Sequence, residues 1–134
     1  MDEHSSRITV SAWFSRQLTL HVARLRALDN RPGSVRSAIS IILMRAGLPL
    51  GQLAKAVDVS PWSLRRMELG ETDGPPRILL KLATEAARAS LPNCAKYLRE
   101  KAIARTSELE HSQDGSRRWK LTSEEFYSIP PEDR

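Results

Sequence analysis

The chain has 134 residues, with 21 Lys and Arg against 16 Asp and Glu and a formal net charge of +5. A chain of this length supports one main core with extensions rather than two full domains. Its 40% hydrophobic and 28% charged residues separate it from fully disordered chains, and its longest apolar run, residues 41–44, is too short for a membrane-spanning helix.

The N-terminal residues and the single cysteine favour a cytoplasmic protein. Residues 1–3 contain no cation, and Arg16 interrupts the first apolar segment before a signal-peptide core is complete. Cys94 has no second cysteine with which to form an intramolecular disulfide or a cysteine-rich zinc site. We expect Cys94 to be a core residue rather than a reactive thiol, and we expect no metal or cofactor.

The first predicted element is an amphipathic helix near the N-terminus. Its apolar residues recur every three or four positions, at Phe14, Leu18, Val22, Leu25 and Leu28. Residues 29–33 then form the clearest linker in the chain, because Pro32 lacks an amide donor and Gly33 permits a positive φ.

A second helix is predicted from Ser37 to Gly47, with an apolar face formed by Ile39, Ile42, Leu43 and Ala46. Two short helices follow at 50–57 and 61–69, joined by residues 58–60. Their inward positions are Leu53, Ala54, Val57, Leu64 and Met67. Ser60 is a suitable N-cap and Pro61 suits the first turn. This pattern predicts a helix-turn-helix, whose second helix has the width to enter the DNA major groove.

No strand pattern competes with these helices, because only residues 8–10 alternate and they have no partner strand. Towards the C-terminus, Asn93 is expected to cap a helix containing Tyr97, Leu98, Ala102 and Ile103. Residues 122–125 form a capping-box sequence before a short helix. The predicted fold class is therefore all-α.

The ordered spacing resembles the Cro/cI-like, or XRE-type, helix-turn-helix repressors of phages and bacteria. The resemblance covers residues 39–89 and consists of Gly47-Leu48, Leu53-Ala54, Val59-Ser60, Leu64, Glu68, Gly70, Pro75 and residues 80–83. It implies a compact bundle of five helices, at 37–46, 50–57, 61–69, 76–89 and 93–110. It also implies sequence-specific binding of operator DNA, usually as a dimer.

The resemblance directs attention to two sets of residues. Ser60, Trp62, Ser63, Arg65 and Arg66 are expected to contact bases, and Gln52, Lys55, Arg77 and Lys81 are expected to contact phosphates. The family usually has Gln where this chain has Leu50, and it has an arginine partner for the equivalent of Glu68 where this chain has Leu43. Glu68 therefore needs a different partner.

The individual roles follow from side-chain chemistry. Arg65 and Arg66 can each donate two hydrogen bonds to guanine, although surface arginines are often simply solvated. Trp62 could contact a thymine methyl group or pack against a neighbouring helix, and packing is slightly favoured. Arg77 is a better phosphate candidate than Lys81, because it opens a helix whose N-terminal amides favour anions.

Basic residues are concentrated in the middle of the chain. Residues 75–106 contain seven cations and two anions, whereas residues 107–134 contain four cations and seven anions. This distribution suits a nucleic-acid-binding module with an acidic tail. The three histidines are far apart, and no HExxH, GxSxG, phosphate-loop or CxxC pattern occurs. The sequence therefore does not predict an enzyme.

The predicted organisation has four parts: an N-terminal helical extension and linker at 1–35, a DNA-binding domain at 36–90, a candidate dimerisation helix at 91–111, and a partly flexible tail at 112–134. The predicted dimer interface consists of Leu18, Val22, Leu25, Tyr97, Leu98 and Ala102. The alternative is that these faces pack onto their own bundle. The apolar residues of the tail are expected to dock on a regulatory partner protein or on the dimer mate.

Two functions remain at this point. The preferred one is a transcriptional regulator, a repressor, whose homodimer reads a short inverted repeat in double-stranded DNA with the helix 61–69. The alternative is a regulator of the same fold that binds another protein, as an anti-activator, antitoxin or phage-encoded inhibitor. Leu50 and Trp62 favour the second function, whereas Arg65, Arg66 and the basic central segment favour the first.

Overall fold

The computed structural model describes residues 13, 15–18, 20, 29, 32–110 and 120–134, and it confirms the all-α prediction. These residues contain no strand. Their helices are α1 (Val35–Ala46), α2 (Leu50–Ala56), α3 (Pro61–Glu68), α4 (Pro76–Arg88), α5 (Pro92–Glu110), α6 (Ser123–Tyr127) and a 3₁₀ helix at Pro131–Asp133. Of the predicted N-terminal apolar stripe, Phe14, Val22, Leu25 and Leu28 lie outside the described residues.

Helix α1 begins two residues earlier than predicted. The Ser34 hydroxyl accepts a hydrogen bond from the Ser37 backbone N–H at 3.1 Å, which caps the first turn. The helix ends at Gly47, whose φ of +66° suits a residue without a Cβ. Ile39 and Ile42 are buried as predicted, but Ala46 is exposed. The prediction for Ala46 was wrong because the last turn of α1 extends beyond the core.

The predicted helix-turn-helix is formed by α2, residues 57–60 and α3. Ser60 caps α3 by accepting a hydrogen bond from the Ser63 N–H at 3.1 Å, and Pro61 occupies the first turn. The inward positions of both helices are buried as predicted, at Leu53, Ala54, Val57, Leu64 and Met67. Burying a large apolar side chain contributes about 1.5–3 kcal/mol to folding, so these contacts fix α3 firmly against the core.

A loop containing two glycines connects α3 to α4. Gly70 and Gly74 both have φ of +80°. A Cβ placed on Gly74 would lie 2.6 Å from the side chain of Met67, so the backbone at Gly74 packs directly against α3. The start of α4 is thereby held beside the end of α3.

Helices α4 and α5 make the most extensive helix–helix contact among the described residues. Leu79, Leu82 and Ala86 of α4, with Leu98 and Ala102 of α5, lie in one buried cluster. A turn at Ser90, with φ of +61°, reverses the chain between the two helices. Helix α1 lies between this pair and the helix-turn-helix, because it contacts α3 on one side and α4 and α5 on the other.

The start of α5 differs from the prediction. The helix begins at Pro92 rather than after Asn93, so Asn93 is not the cap. Instead, the buried carboxylate of Asp29 accepts hydrogen bonds from the backbone N–H groups of Asn93, at 3.3 Å, and Cys94, at 2.9 Å. Asp29, the first residue of the predicted linker, therefore joins the N-terminal segment to the core.

Cys94 lies in the core, as predicted. It is a free cysteine with no exposed surface. Burial, together with the hydrogen bond and negative charge of Asp29, raises the pKa of the Cys94 thiol to about 12. The thiol is therefore protonated at neutral pH and is not an activated nucleophile.

Residues 120–134 fold back onto α4 and α5. Leu121 and Ile129 are buried in the core cluster, and Asp133 forms a 2.7 Å ion pair with Arg99. Leu121 and Ile129 therefore pack within the chain rather than on a partner or a dimer mate, whereas Tyr127 is exposed. Docking of the segment on a second protein stays a prediction. The predicted capping box is confirmed: Thr122 and Glu125 exchange hydrogen bonds at the start of α6.

No single described helix is long and apolar enough to cross a membrane. Helices α1 and α2 meet that test only when they are taken together, and they are bent relative to each other by 104°.

Candidate nucleic-acid interface

The exposed face of α3 contains the residues predicted to contact bases. Ser60, Trp62, Ser63, Arg65 and Arg66 are all exposed. Leu64 and Met67, on the opposite side of the same helix, are buried. Helix α3 therefore has one face fixed in the core and one face open to a partner.

Trp62 corrects one interpretation of the sequence. Its side chain is 72% exposed, so the slightly favoured prediction, packing against a neighbouring helix, was wrong. At about 100° per residue, position 62 lies roughly 160° around the helix from Leu64 and 140° from Met67. An indole at position 62 must consequently point away from the core that those two residues enter.

Both arginines of α3 are oriented by carboxylates. Arg65 Nη1 lies 3.3 Å from Glu68 Oε2, and Arg66 Nε lies 3.2 Å from Glu71 Oε2. Leu43 occupies the position where the resembled family has the arginine partner of this glutamate. In this chain Glu68 pairs with Arg65 instead. Such exposed pairs contribute at most about 1 kcal/mol to stability. They orient the guanidinium groups, but either arginine can leave its glutamate to bind another acceptor.

The start of α3 is ordered by two serines. The Ser63 N–H donates to the Ser60 hydroxyl oxygen at 3.1 Å, and the two hydroxyl groups share a hydrogen bond at 2.8 Å. That bond uses one of the two hydroxyl protons. Ser63 Oγ, like Ser60 Oγ, is exposed and can also take part in a contact with an outside group.

The residues predicted to contact phosphate lie on α2 and α4. Gln52 and Lys55 are exposed on α2, and Arg77 and Lys81 are exposed one turn apart on α4. No side chain caps α4, whose N-cap is Pro75. Gly74, two residues before α4 begins, lies against Met67 of α3.

Arg77 has a partner that the sequence did not predict. Its Nε donates to Glu125 Oε1 at 3.0 Å, across 48 residues of sequence. The pair brings α6 to the N-terminal end of α4. The capping-box sequence predicted α6 itself, but no local pattern indicates which helix α6 contacts.

Internal ion pairs account for much of the basic excess of residues 75–106. Five of the seven cations there pair with carboxylates, namely Arg77, Arg88, Arg99, Lys101 and Arg105. Lys81 and Lys96 form no ion pair with the part of the chain that the structure describes. The net charge of this segment therefore overstates the positive charge available to a polyanion.

The predicted dimer residues divide into four groups. Leu18 is 50% exposed, whereas Val22 and Leu25 lie outside the described residues. Tyr97 is half-buried against the core, and Leu98 and Ala102 have no exposed surface at all. Leu98 and Ala102 are therefore core residues of the single chain, and their assignment to a dimer interface is corrected.

The described residues contain no group of three or more His, Cys, Asp or Glu side chains placed to hold a metal ion.

No family model matches the chain, and no significant match occurs among curated proteins or solved structures. Any function must therefore be argued from the geometry of the chain itself.

Proposed function

We propose that the chain is a DNA-binding transcriptional regulator that places α3 in the major groove of double-stranded DNA. The observation that carries this proposal is the exposed face of α3, with Trp62, Ser63, Arg65 and Arg66 directed away from a core that holds the helix by Leu64 and Met67. A helix presented in this way has the dimensions of a major-groove reader.

The surroundings of α3 supply groups suited to the DNA backbone. Arg77 is exposed on the first turn of α4, three residues after Gly74, which lies against Met67 of α3, and Gln52 and Lys55 are exposed on the helix before α3. Cations and helix N-terminal amides are the usual phosphate contacts, and they fix the register of a reading helix on the duplex.

We further propose that the regulator acts as a homodimer through its N-terminal helix. One recognition helix reads only a few base pairs, so two copies are needed to recognise an inverted repeat. Leu18 and Leu20 are about half exposed and Trp13 is 61% exposed. These residues remain candidates for contact with the second copy now that Leu98 and Ala102 are placed in the core.

The first test is selection of bound duplexes from a random DNA pool. We expect enrichment of a short inverted repeat. On the best site, Arg66→Ala should weaken binding by about 1–3 kcal/mol and relax the preference at one base pair. Arg88→Ala is the matched control, because Arg88 is an exposed arginine at the far end of α4 with a similar ion pair to a nearby glutamate.

Equal losses for Arg66→Ala on the selected site and on random DNA would show that Arg66 contacts only the backbone. Failure to enrich any motif would contradict sequence-specific binding altogether.

One observation favours the second candidate, a regulator that binds another protein. Trp62 on α3 and Leu69 directly after it are both exposed, and their spacing of seven residues places them on the same side of the helix. Exposed tryptophans are frequent centres of protein interfaces. If the chain binds a protein, no DNA motif is enriched and Trp62→Ala abolishes binding of the partner protein. If the chain binds DNA, Trp62→Ala changes the base preference.

A further inference from the structure

The segment 120–134 is attached to the bundle by two ion pairs of different character. Asp133 pairs with Arg99 at 2.7 Å, with side chains only 4% and 22% exposed, whereas Glu125 pairs with Arg77 at 3.0 Å, with side chains 30% and 48% exposed. Leu121 and Ile129 are buried in the core cluster. The segment is thus anchored by its apolar residues and Asp133, and the Glu125 pair is its solvent-accessible attachment.

The Glu125 carboxylate is held in place independently of Arg77. Oε1 of Glu125 also accepts a hydrogen bond from the Thr122 N–H at 2.9 Å, and the Glu125 N–H donates to the Thr122 hydroxyl oxygen at 3.2 Å. Burial favours the neutral acid, but the hydrogen bonds from Thr122 and Arg77 outweigh it and lower the pKa of Glu125. A negative charge is therefore present beside Arg77 at neutral pH.

Arg77 is an exposed cation on the first turn of α4, three residues after Gly74, whose backbone lies against Met67 of α3. A carboxylate oxygen 3.0 Å from its Nε occupies the position that a phosphate oxygen would take in a charge-assisted hydrogen bond. Arg77 cannot direct its Nε to both acceptors at once.

We propose that Glu125 is an internal competitor of DNA phosphate for Arg77, so that the folded C-terminal segment lowers the affinity of the protein for DNA. This inference rests on the proposed DNA-binding function. A phosphate at Arg77 must either displace Glu125 from Nε or use the remaining Nη donors beside a negative charge. In both cases the carboxylate stays close to the phosphate, and the Arg77–phosphate contact is weakened or lost. Because the pair is exposed, its displacement requires neither unfolding of α6 nor loss of the buried Asp133 anchor.

The decisive variant is Glu125→Gln in the full chain. Glutamine keeps the capping box, since its side chain can still accept from the Thr122 N–H, but it removes the charge that holds Arg77. We expect DNA affinity at low salt to rise about two- to fivefold, a range set by the strength of exposed ion pairs. The slope of log K against log salt should become steeper by about 0.9, the value for one added phosphate contact.

Glu132→Gln is the matched control, because it makes the same change in net charge at an exposed residue of the same segment. It should raise affinity less and leave the slope unchanged. In an Arg77→Gln background, Glu125→Gln should have no more effect than Glu132→Gln. Thermal unfolding of each variant verifies that α6 and its anchor remain in place.

The outcomes separate the two proposals. If the wild-type chain binds DNA and Glu125→Gln behaves like Glu132→Gln in affinity and slope, competition is refuted and DNA binding stands. If neither the wild type nor Glu125→Gln binds any duplex, the DNA-binding function itself is refuted, and the competition with it. Binding that emerges or strengthens only in Glu125→Gln, and is lost when Arg77 is also replaced, supports both.

Discussion

The Asp29 side chain connects parts of the described structure that are 65 residues apart in sequence. Its carboxylate accepts from two backbone N–H groups at the start of α5 and from the Asn93 side chain at 3.4 Å. Helix N-termini leave their first N–H groups without intrahelical partners, and an anion is favoured there. A buried aspartate from another segment thus takes the place of a local N-cap.

We expect Asp29→Ala to lower the free energy of unfolding by about 1–3 kcal/mol, because buried N–H groups lose charged acceptors. Urea unfolding followed by circular dichroism measures the change. Asp73→Ala serves as the comparison, since Asp73 forms only an exposed ion pair with Lys101 and its loss should cost less than about 0.5 kcal/mol. Equal effects of the two substitutions would show that the Asp29 contacts do not stabilise the fold.

At the scale of single elements, the loop between α3 and α4 imposes the strictest local requirement. Gly74 combines a φ of +80° with a close approach to Met67, whereas a Cβ placed on Gly51, inside α2, would meet no atom within 4 Å. A left-handed backbone costs a non-glycine residue about 1–2 kcal/mol before any clash.

Gly74→Ala should therefore destabilise the protein by more than about 1 kcal/mol, because both the backbone and Met67 must adjust. Gly51→Ala should stabilise it by about 0.5–1 kcal/mol, since alanine favours the helix and restricts the unfolded chain. Thermal melting of the two variants compares them directly. A melting temperature that rises in both would mean that the α3–α4 loop tolerates a side chain at Gly74.

Features of single elements were also the most predictable from sequence. Ser60, Gly47 and the Thr122–Glu125 capping box act within a few residues of themselves, so their neighbours in sequence are also their partners in space. The predictions for Ala46 and Asn93, both at helix ends, were wrong. There, periodicity alone does not show how far the core extends or which distant group caps the helix.

At the scale of the whole molecule, residues 120–134 are part of the bundle rather than an independent tail. Ile129 is 2% exposed in the core cluster, while Tyr127, two residues earlier, is 70% exposed. We expect Ile129→Ala to cost about 2–5 kcal/mol and Tyr127→Ala less than about 1 kcal/mol. Guanidinium denaturation measures both. A negligible loss for Ile129→Ala would indicate that the segment is not docked in solution.

The sequence predicted which residues form the candidate interface, but not which residues of the same chain contact them. The helical spacing placed Arg65 and Arg66 on an exposed face, and the structure keeps them there. The pairing of Arg77 with Glu125 and the burial of Leu98 depend on how distant segments pack. An apolar face inferred from sequence does not reveal whether its own chain or a second chain covers it.

The link between Asp29 and the start of α5 also bears on the order of folding. It joins groups 65 residues apart, whereas the contacts between α2 and α3 are local. Because closing a long loop is entropically unfavourable until its contacts form, local helix pairs assemble first and distant contacts follow. A contact absent from the transition state acts mainly on the rate of unfolding. We therefore expect Asp29→Ala to raise the rate of unfolding more than it lowers the rate of folding.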